Sequence, residues 1–357
     1  MKNEEKIEKV RKTVREFAAY EWEASSAAIA KRFGLRESDV KRFDTNTSPF
    51  QAQLEIETGD LNEYPDPSYD ELTKAIADYA KCDAKQVVIG AGADEVLDVI
   101  AKTFIDNGDA AVISTPTYSM YRIVVEQMGG KAILVQREPD FSVDNRKMLD
   151  AAEKTKVFFT CNPNNPTGNL TPDQEIKELC EESPAPVVVD EAYYEFCGET
   201  ALGTNNAIIV RTFSKAFSLA GARVGYAIAP PEIAAEMNKI RPPNSVSALS
   251  IRLALKALEK RNQDRMRENV AKTIGERERL RREFKRLGLL AYPSQTNFLL
   301  VKFESEDASQ RVFEALLSRG VVARNFSRKI SGCLRVTVRS PSDNNALIEK
   351  IKEVLEK

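Results

Sequence analysis

The 357-residue chain contains no histidine. That absence removes the Ser-His-Asp and Cys-His nucleophile systems and every imidazole-liganded metal centre. Proton transfer must fall to Lys, Tyr, Asp, Glu or Cys. Cysteine is scarce too. Five are scattered along the chain (Cys82, Cys161, Cys180, Cys197, Cys333), never in CxxC spacing. This usage suits a reducing compartment and gives no zinc-site pattern, so no metal is expected. No apolar run reaches membrane-spanning length, and the opening MKNEEKIEKVRK lacks a secretory-signal pattern. The expectation is a soluble, cytoplasmic protein with no membrane partner. Charge of neither sign dominates: 52 Lys plus Arg against 54 Asp plus Glu leave a net −2, which advertises no polyanionic partner. Internal repeats, low-complexity segments and Gly- or Pro-rich linkers are also missing, so the parts of the chain are expected to pack closely.

What is present suits two domains. Residues 4 to 33 read as one or two amphipathic helices, within an N-terminal arm spanning 1–44 that packs with the smaller domain and a dimer partner. From about residue 85, short apolar runs (QVVIG, AAVIST, KAILVQ, KVFFTCN, PVVVDEA, AIIVRTF, GYAIAP) alternate with helical patterns such as ADEVLDVIAKTF. That alternation predicts an α/β domain over 45–235 with a mostly parallel sheet between helices. After Pro230 the pattern changes. Helices at about 231–260 and 264–287 precede TNFLLVKF, a helix near 307–319, VVARNF, CLRVTVR and a charged last helix. This predicts a smaller α+β domain over 236–357.

Four stretches fall at the ends of predicted strands, where open α/β sheets bind ligands. GAGADE (90–95) lies between a strand and a helix; its glycines permit close backbone approach and the helix start suits a phosphate. A turn that simply needs glycine explains it equally well. A nicotinamide cofactor fits worse, since the third glycine and the acidic ribose ligand are missing. CNPNNPTGN (161–169) presents Asn165 among turn formers. VVVDEAYYEF (187–196) ends a buried strand on Asp190, a position that also suits helix capping or an ion pair. RTFSKAFSLAGARVGYA (211–227) holds Lys215 among small and apolar residues, with Ser214 and Arg223 nearby. A desolvated lysine loses proton affinity and becomes a nucleophile toward a carbonyl. Together with a phosphate-binding helix start, a carboxylate, Tyr193 and an arginine, it makes what a pyridoxal phosphate site needs.

Those residues carry a resemblance. GADE, PTYSMY, NPNNPTG, VVDEAYYEF, RTFSKAFSLAGARVGY and GCLRVTV, in this order over roughly residues 45 to 340, resemble the fold-type-I pyridoxal-phosphate aminotransferases, most closely their histidinol-phosphate branch. The resemblance implies a seven-stranded, mostly parallel sheet in the large domain, pyridoxal 5'-phosphate as cofactor, and transfer of an amino group between glutamate and imidazole acetol phosphate. It implies that Lys215 forms the Schiff base and shuttles the proton, that Asp190 pairs with the pyridine nitrogen, and that Tyr193 and Asn165 bond the ring's phenolic oxygen. Tyr118 would stack on the ring. The backbone at Ala93 and Asp94, with Ser214 and Arg223, would hold the cofactor phosphate. Arg335 would take the substrate carboxylate and Arg324 the phosphate end of the amine. Tyr64 in EYPDP would reach a phosphate in a neighbouring subunit's site, which implies a homodimer.

The chain departs from that family in one block. Where an Asn-Glu-Asn-Pro segment is usual, DTNTSPF keeps Asn46 and Pro49 but has Thr47 and Ser48 between them, which removes an acidic group from the substrate side. The segment before it invites a rival reading. Ala30, Gly34 and Val40 have helix-turn-helix spacing, with RESDVKRF as a candidate recognition helix. About 40 residues are too few for a DNA-binding domain plus linker, and the net charge lends no support. A helix ended by Gly34 and another capped near Ser38 explain the spacing without nucleic acid. Among enzymes, aromatic or broad-range aminotransferases and threonine-phosphate decarboxylases are the alternatives.

Overall fold

Short runs of Val and Ile, alternating their side chains between two covered faces, build the larger sheet of the computed structural model, which describes residues 7–59 and 61–356. Its seven strands lie in the order Val87–Gly90, Gly225–Ile228, Ala207–Thr212, Val187–Asp190, Thr155–Cys161, Ala110–Thr115, Lys131–Gln136. Gly225–Ile228 runs against both its neighbours, and the strands beyond it pair in parallel. Val187 and Val189 face one core with Phe158, Ile209 and Tyr226, while Val188 faces the other with Val157, Phe159, Ile208 and Val210. One face is covered by Leu72 and Ile76 of the Asp70–Ala80 helix and by Ile176 and Leu179 of Asp173–Glu182. The other is covered by Val96, Leu97 and Ile100 of the Ala93–Phe104 helix and by Met237 of Pro231–Ile240. Each such aliphatic side chain contributes about 1.5–3 kcal/mol of burial. Covering both faces leaves only the strand ends free for chemistry.

The expected helix at 231–260 is two. Pro242 and Pro243 cannot continue a helix, and Ser247, accepting from the Ser250 N–H at 3.2 Å, starts the next over Ala248–Leu258. The Lys260–Arg286 helix then serves both parts of the molecule. Met266 and Val270 join the core of the large sheet, whereas Leu280 and Phe284 join Leu299, Val301, Leu334 and Val336 under the smaller sheet. Packing thus passes from one core to the other along this helix. The smaller sheet is antiparallel, in the order Arg324–Asn325, Cys333–Thr337, Phe298–Lys302, Leu290–Ala291. Phe43 enters its core from the N-terminal side, where Lys41–Arg42 pairs in parallel with Val321–Val322.

The N-terminal arm differs from expectation. Residues 4–6 of the expected helix lie outside the described residues. Among the rest, the helices Lys12–Glu16 and Ser26–Phe33 are separated by residues 17–25, which form neither helix nor strand. Ser25 caps the second helix by accepting from the Ala28 N–H at 3.2 Å, and Gly34 ends it at φ 66°. The candidate recognition segment RESDVKRF contains only a 3₁₀ turn at Glu37–Asp39 and the start of a strand at Lys41–Arg42. Neither a recognition helix nor the second helix expected from Ser38 forms, because Val40 is drawn into a small core with Ile29, Ala30 and Val322. Among the described residues no helix is long and apolar enough to cross a membrane.

Candidate active site

A cavity of about 440 Å³ opens at the carboxyl ends of the large sheet's strands, closed on the far side by the smaller sheet and by residues 20–23 of the arm. Strand ends deliver Asp190, Cys161 and Thr212, and the connections that follow deliver Asn165, Tyr193, Ser214 and Lys215. Ala93, Asp94, Tyr118, Arg223, Asn46, Arg324 and Arg335 also line it. One expected residue does not. Tyr64, in an irregular loop, is 85% exposed and outside this cavity.

At one end the groups suit an anion. The Ala93–Phe104 helix begins at Gly92, and helix geometry leaves the N–H groups of Ala93 and Asp94 without intrahelical acceptors. The Arg223 guanidinium reaches the same place, held by Asp94 Oδ2 at 2.9 Å and the Ser214 hydroxyl at 3.5 Å. Thr212 fixes that serine, its hydroxyl lying 2.9 Å from Ser214 Oγ. Two glycines permit the closeness. A Cβ on Gly92 would lie 2.3 Å from Arg223 Nη2, and one on Gly225 would lie 2.3 Å from the Ala93 nitrogen. Asp94 also accepts from the Tyr118 hydroxyl at 2.9 Å, so the aromatic ring over the cavity and the anion cradle are tied together.

Asp190 forms the floor. It is 4% exposed, and its two oxygens accept from the Ala192 N–H at 3.0 Å and from the Tyr121 hydroxyl at 2.7 Å. Burial pushes this carboxyl up to about 6, against the pull of those two donors. Tyr121 is itself fully buried and stacked on Phe159, so the donor cannot swing away. A buried carboxylate with hydrogen bonds but no ion pair among the described residues fits a site that receives a cationic group.

Lys215 projects into the same cavity, its Nζ 3.3 Å from the Thr45 carbonyl and 5.9 Å from the Tyr193 ring centre. It forms no ion pair among the described residues. Desolvation first, then the Arg335 charge, lowers its ammonium to about 8, so the neutral amine is far more accessible near neutral pH than that of an ordinary lysine. The Tyr193 hydroxyl accepts from Asn46 Nδ2 at 3.0 Å, and burial raises its pKa. Asn46 takes the left-handed conformation (φ 53°) and is stitched to the smaller sheet through Thr337 and Asn297.

Arg335 and Arg324 face each other as partners on adjacent strands of the smaller sheet. Arg335 donates to Asn165 Oδ1 and to the Asp44 carbonyl, both neutral, and its Nε is buried without a partner. It has no carboxylate partner among the described residues, which suits it to an incoming one. Arg324 is already engaged: Nη1 with Glu23 at 3.3 Å and Nη2 with the Glu21 carbonyl at 2.6 Å. Sequence reasoning did not single out Glu23, Asp44, Tyr121 or Gly225. Tyr121, Gly225 and Asp44 sit inside the quoted stretches PTYSMY, RTFSKAFSLAGARVGY and DTNTSPF, whereas Glu23 had no local signal.

This donor set fits pyridoxal phosphate: an anion cradle with space a Cβ would fill, a buried carboxylate for the ring nitrogen, and a desolvated lysine between them. Comparison with known proteins points the same way. The profile of the family Aminotransferase class I and II matches residues 31–351. A histidinol-phosphate aminotransferase of Caldanaerobacter subterraneus subsp. tengcongensis is 36% identical over 331 residues, covering 88% of this chain and 93% of that protein. Histidinol-phosphate aminotransferase 1 of Archaeoglobus fulgidus is 40% identical over 300 residues, covering 83% and 92%. The crystal structure of histidinol-phosphate aminotransferase from Sinorhizobium meliloti, in complex with pyridoxal-5'-phosphate, superposes with a TM-score of 0.89 at 26% identity over 98% of both chains.

Proposed function

The chain belongs to the class I and II aminotransferases, and from that premise we propose that it moves the amino group of glutamate to imidazole acetol phosphate, giving histidinol phosphate and 2-oxoglutarate. The cofactor is pyridoxal 5'-phosphate, which supplies a carbonyl carbon for the amine and a ring that accepts the electrons released at the substrate carbon. The cradle of Ala93 and Asp94 N–H groups, Ser214 and Arg223 binds the phosphate. Asp190 offers an anionic oxygen to a protonated ring nitrogen, its other contacts held by Ala192 and Tyr121. Tyr118 covers the ring, and Asn165 and Tyr193 offer their polar ends to the ring's phenolic oxygen. Lys215 holds and moves the proton at Nζ, which its lowered proton affinity allows. Arg335 orients the carboxylate of glutamate. Two copies of the chain form a homodimer, in which the exposed Tyr64 reaches the neighbouring site.

The observation that carries this reading is the convergence of three groups on one cavity: Lys215 and Arg335, cations without a carboxylate partner among the described residues, and the buried Asp190. The test is a half-reaction on the purified holoenzyme, offering histidinol phosphate, phenylalanine and threonine phosphate separately and following the cofactor's conversion to its amine form. Fast conversion by histidinol phosphate is expected. Fast conversion by phenylalanine alone, or decarboxylation of threonine phosphate without transamination, would contradict the substrate named here.

A further inference from the structure

Arg324 and Arg335 are directly opposed across two antiparallel strands, an arrangement that is unfavourable for like charges unless something intervenes. The chain deals with the two cations differently. Arg335 keeps only neutral oxygens. Arg324 is neutralised by Glu23, a carboxylate brought in from about 300 residues away in the sequence. The pair is sheltered, with 18% of the Arg324 side chain and 21% of the Glu23 side chain exposed. Burial raises the Glu23 carboxyl, the nearby Asp44 adds to the rise, and Arg324 opposes it. Asp44 is taken up by Arg42 in a two-point pair at 2.9 and 2.6 Å, so it does not compete for Arg324.

The segment that delivers Glu23 crosses the cavity mouth. Before it, the Lys12–Glu16 helix lies near the Met120–Gln127 helix, where Arg11 donates to the Gln127 carbonyl at 3.2 Å. After it, the Ser26–Phe33 helix is seated through Ile29 and Ala30 against Val40 and Val322. Between these anchors, residues 18–24 form neither helix nor strand and are held by side chains: Arg324 on Glu21 and Glu23, Arg42 on the Ala24 carbonyl at 2.6 Å, Lys329 3.9 Å from Glu21, and the Tyr20 ring edge-on to Tyr118. Tyr20, Trp22 and Glu23 of this strap line the cavity. A segment held by side-chain contacts, without a backbone ladder of its own, opens locally at smaller cost than a helix or strand.

We propose that Glu23 is a built-in counter-ion occupying the second anion position of the site, so that an amine bearing a distal phosphate must displace it from Arg324 while an uncharged aromatic amine binds with the pair intact. Glu23 thereby sets the preference between these two substrate classes. It is a positioning and selectivity residue, and it takes part in no bond-making step. The inference rests on the proposed function only in its choice of phosphate-bearing substrate. Displacement follows from charge alone: a phosphate dianion offers Arg324 more charge than one carboxylate, and it cannot share the guanidinium with Glu23 without repulsion.

Trp22 is the chain's single tryptophan, 84% exposed, with its ring 4.6 Å from that of Tyr20, so its fluorescence reports the strap. The experiment titrates inorganic phosphate into the holoenzyme, whose cradle at Arg223 is already filled by the cofactor's phosphate, and follows Trp22 emission. Glu23→Gln and Glu23→Ala are expected to lower the half-saturating phosphate concentration about tenfold, as when a competing closed state populated to about 90% is removed. The ratio of kcat/KM for histidinol phosphate to that for phenylalanine should rise by a similar factor, through KM and not kcat. Half-saturation unchanged within about twofold in both variants, with folding verified by circular dichroism, would overturn the proposal. A holoenzyme that ignores histidinol phosphate but shows the shifted phosphate titration would refute the substrate and sustain the role of Glu23.

Discussion

The two halves of the cavity are built by different means. On the large-sheet side, Asp190, Asn165, Ser214 and Lys215 sit at or just beyond the ends of strands whose faces are fully covered. Their positions follow from packing, and their partners, Tyr121 and Thr212, are buried as well. On the other side, Asn46, Arg324, Arg335 and Glu23 come from separate stretches of chain joined by hydrogen bonds and ion pairs. The first half is pre-organised for one cofactor. The second half is held by contacts that an incoming anion can exchange. A rigid cofactor floor under an exchangeable substrate wall is a reasonable division, because the chemistry at the ring is common to many amines whereas the amine itself must be selected.

Breaking the substrate wall should give the largest effect. Arg335→Gln removes a cation of that wall that has no carboxylate partner among the described residues, and kcat/KM for glutamate should fall roughly a hundredfold, as for loss of a charge-assisted pair. Cofactor absorbance should stay near that of the parent protein, which locates the damage in one half. Steady-state kinetics with a spectrum of each variant checks this.

The cofactor floor has its own signature in pH. The Asp190 carboxyl is raised in the folded chain from 3.8 to about 6, so the fold prefers its protonated form. This group's contribution to the stability of the cofactor-free protein is full below pH ~4 and is lost as the pH rises through ~6, a change of about 3 kcal/mol. Asp190→Asn should remove that pH dependence, and chemical denaturation between pH 4 and 7 measures it. A smaller loss, roughly 1–3 kcal/mol of stability with weaker cofactor binding, is expected from Gly225→Ala, whose new methyl would collide with the Ala93 backbone. Thermal melts and pyridoxal phosphate titration read both. Ser25→Ala should have the mildest effect, about 1 kcal/mol, by uncapping the helix that seats the strap.

The same division decides what could be read from the sequence. The seven strands and the Ala93–Phe104 helix were legible because apolar runs of β-branched residues and a 3.6-residue period are local signals. Lys215, Asp190, Asn165 and Arg223 were legible because their motifs carry the strand ends with them. Residues 17–25 misled, since their apolar residues serve a cavity mouth and not a helix face. Glu23 was invisible for a related reason: it is defined by an arginine remote in sequence, and a lone acidic residue gives no hint of that partner. Tyr121 could have been found, for it stands three residues beyond Tyr118 in the quoted PTYSMY, on the helix that follows.

The central claim is that Lys215 is the residue bonded to the cofactor. Borohydride reduction of the holoenzyme, followed by proteolysis and mass spectrometry, tests it directly. The pyridoxyl label should be found on the peptide containing Lys215, and Lys215→Ala should fold, lose the visible absorbance and take up no label. Label on any other lysine, or visible absorbance retained in Lys215→Ala, would contradict the account.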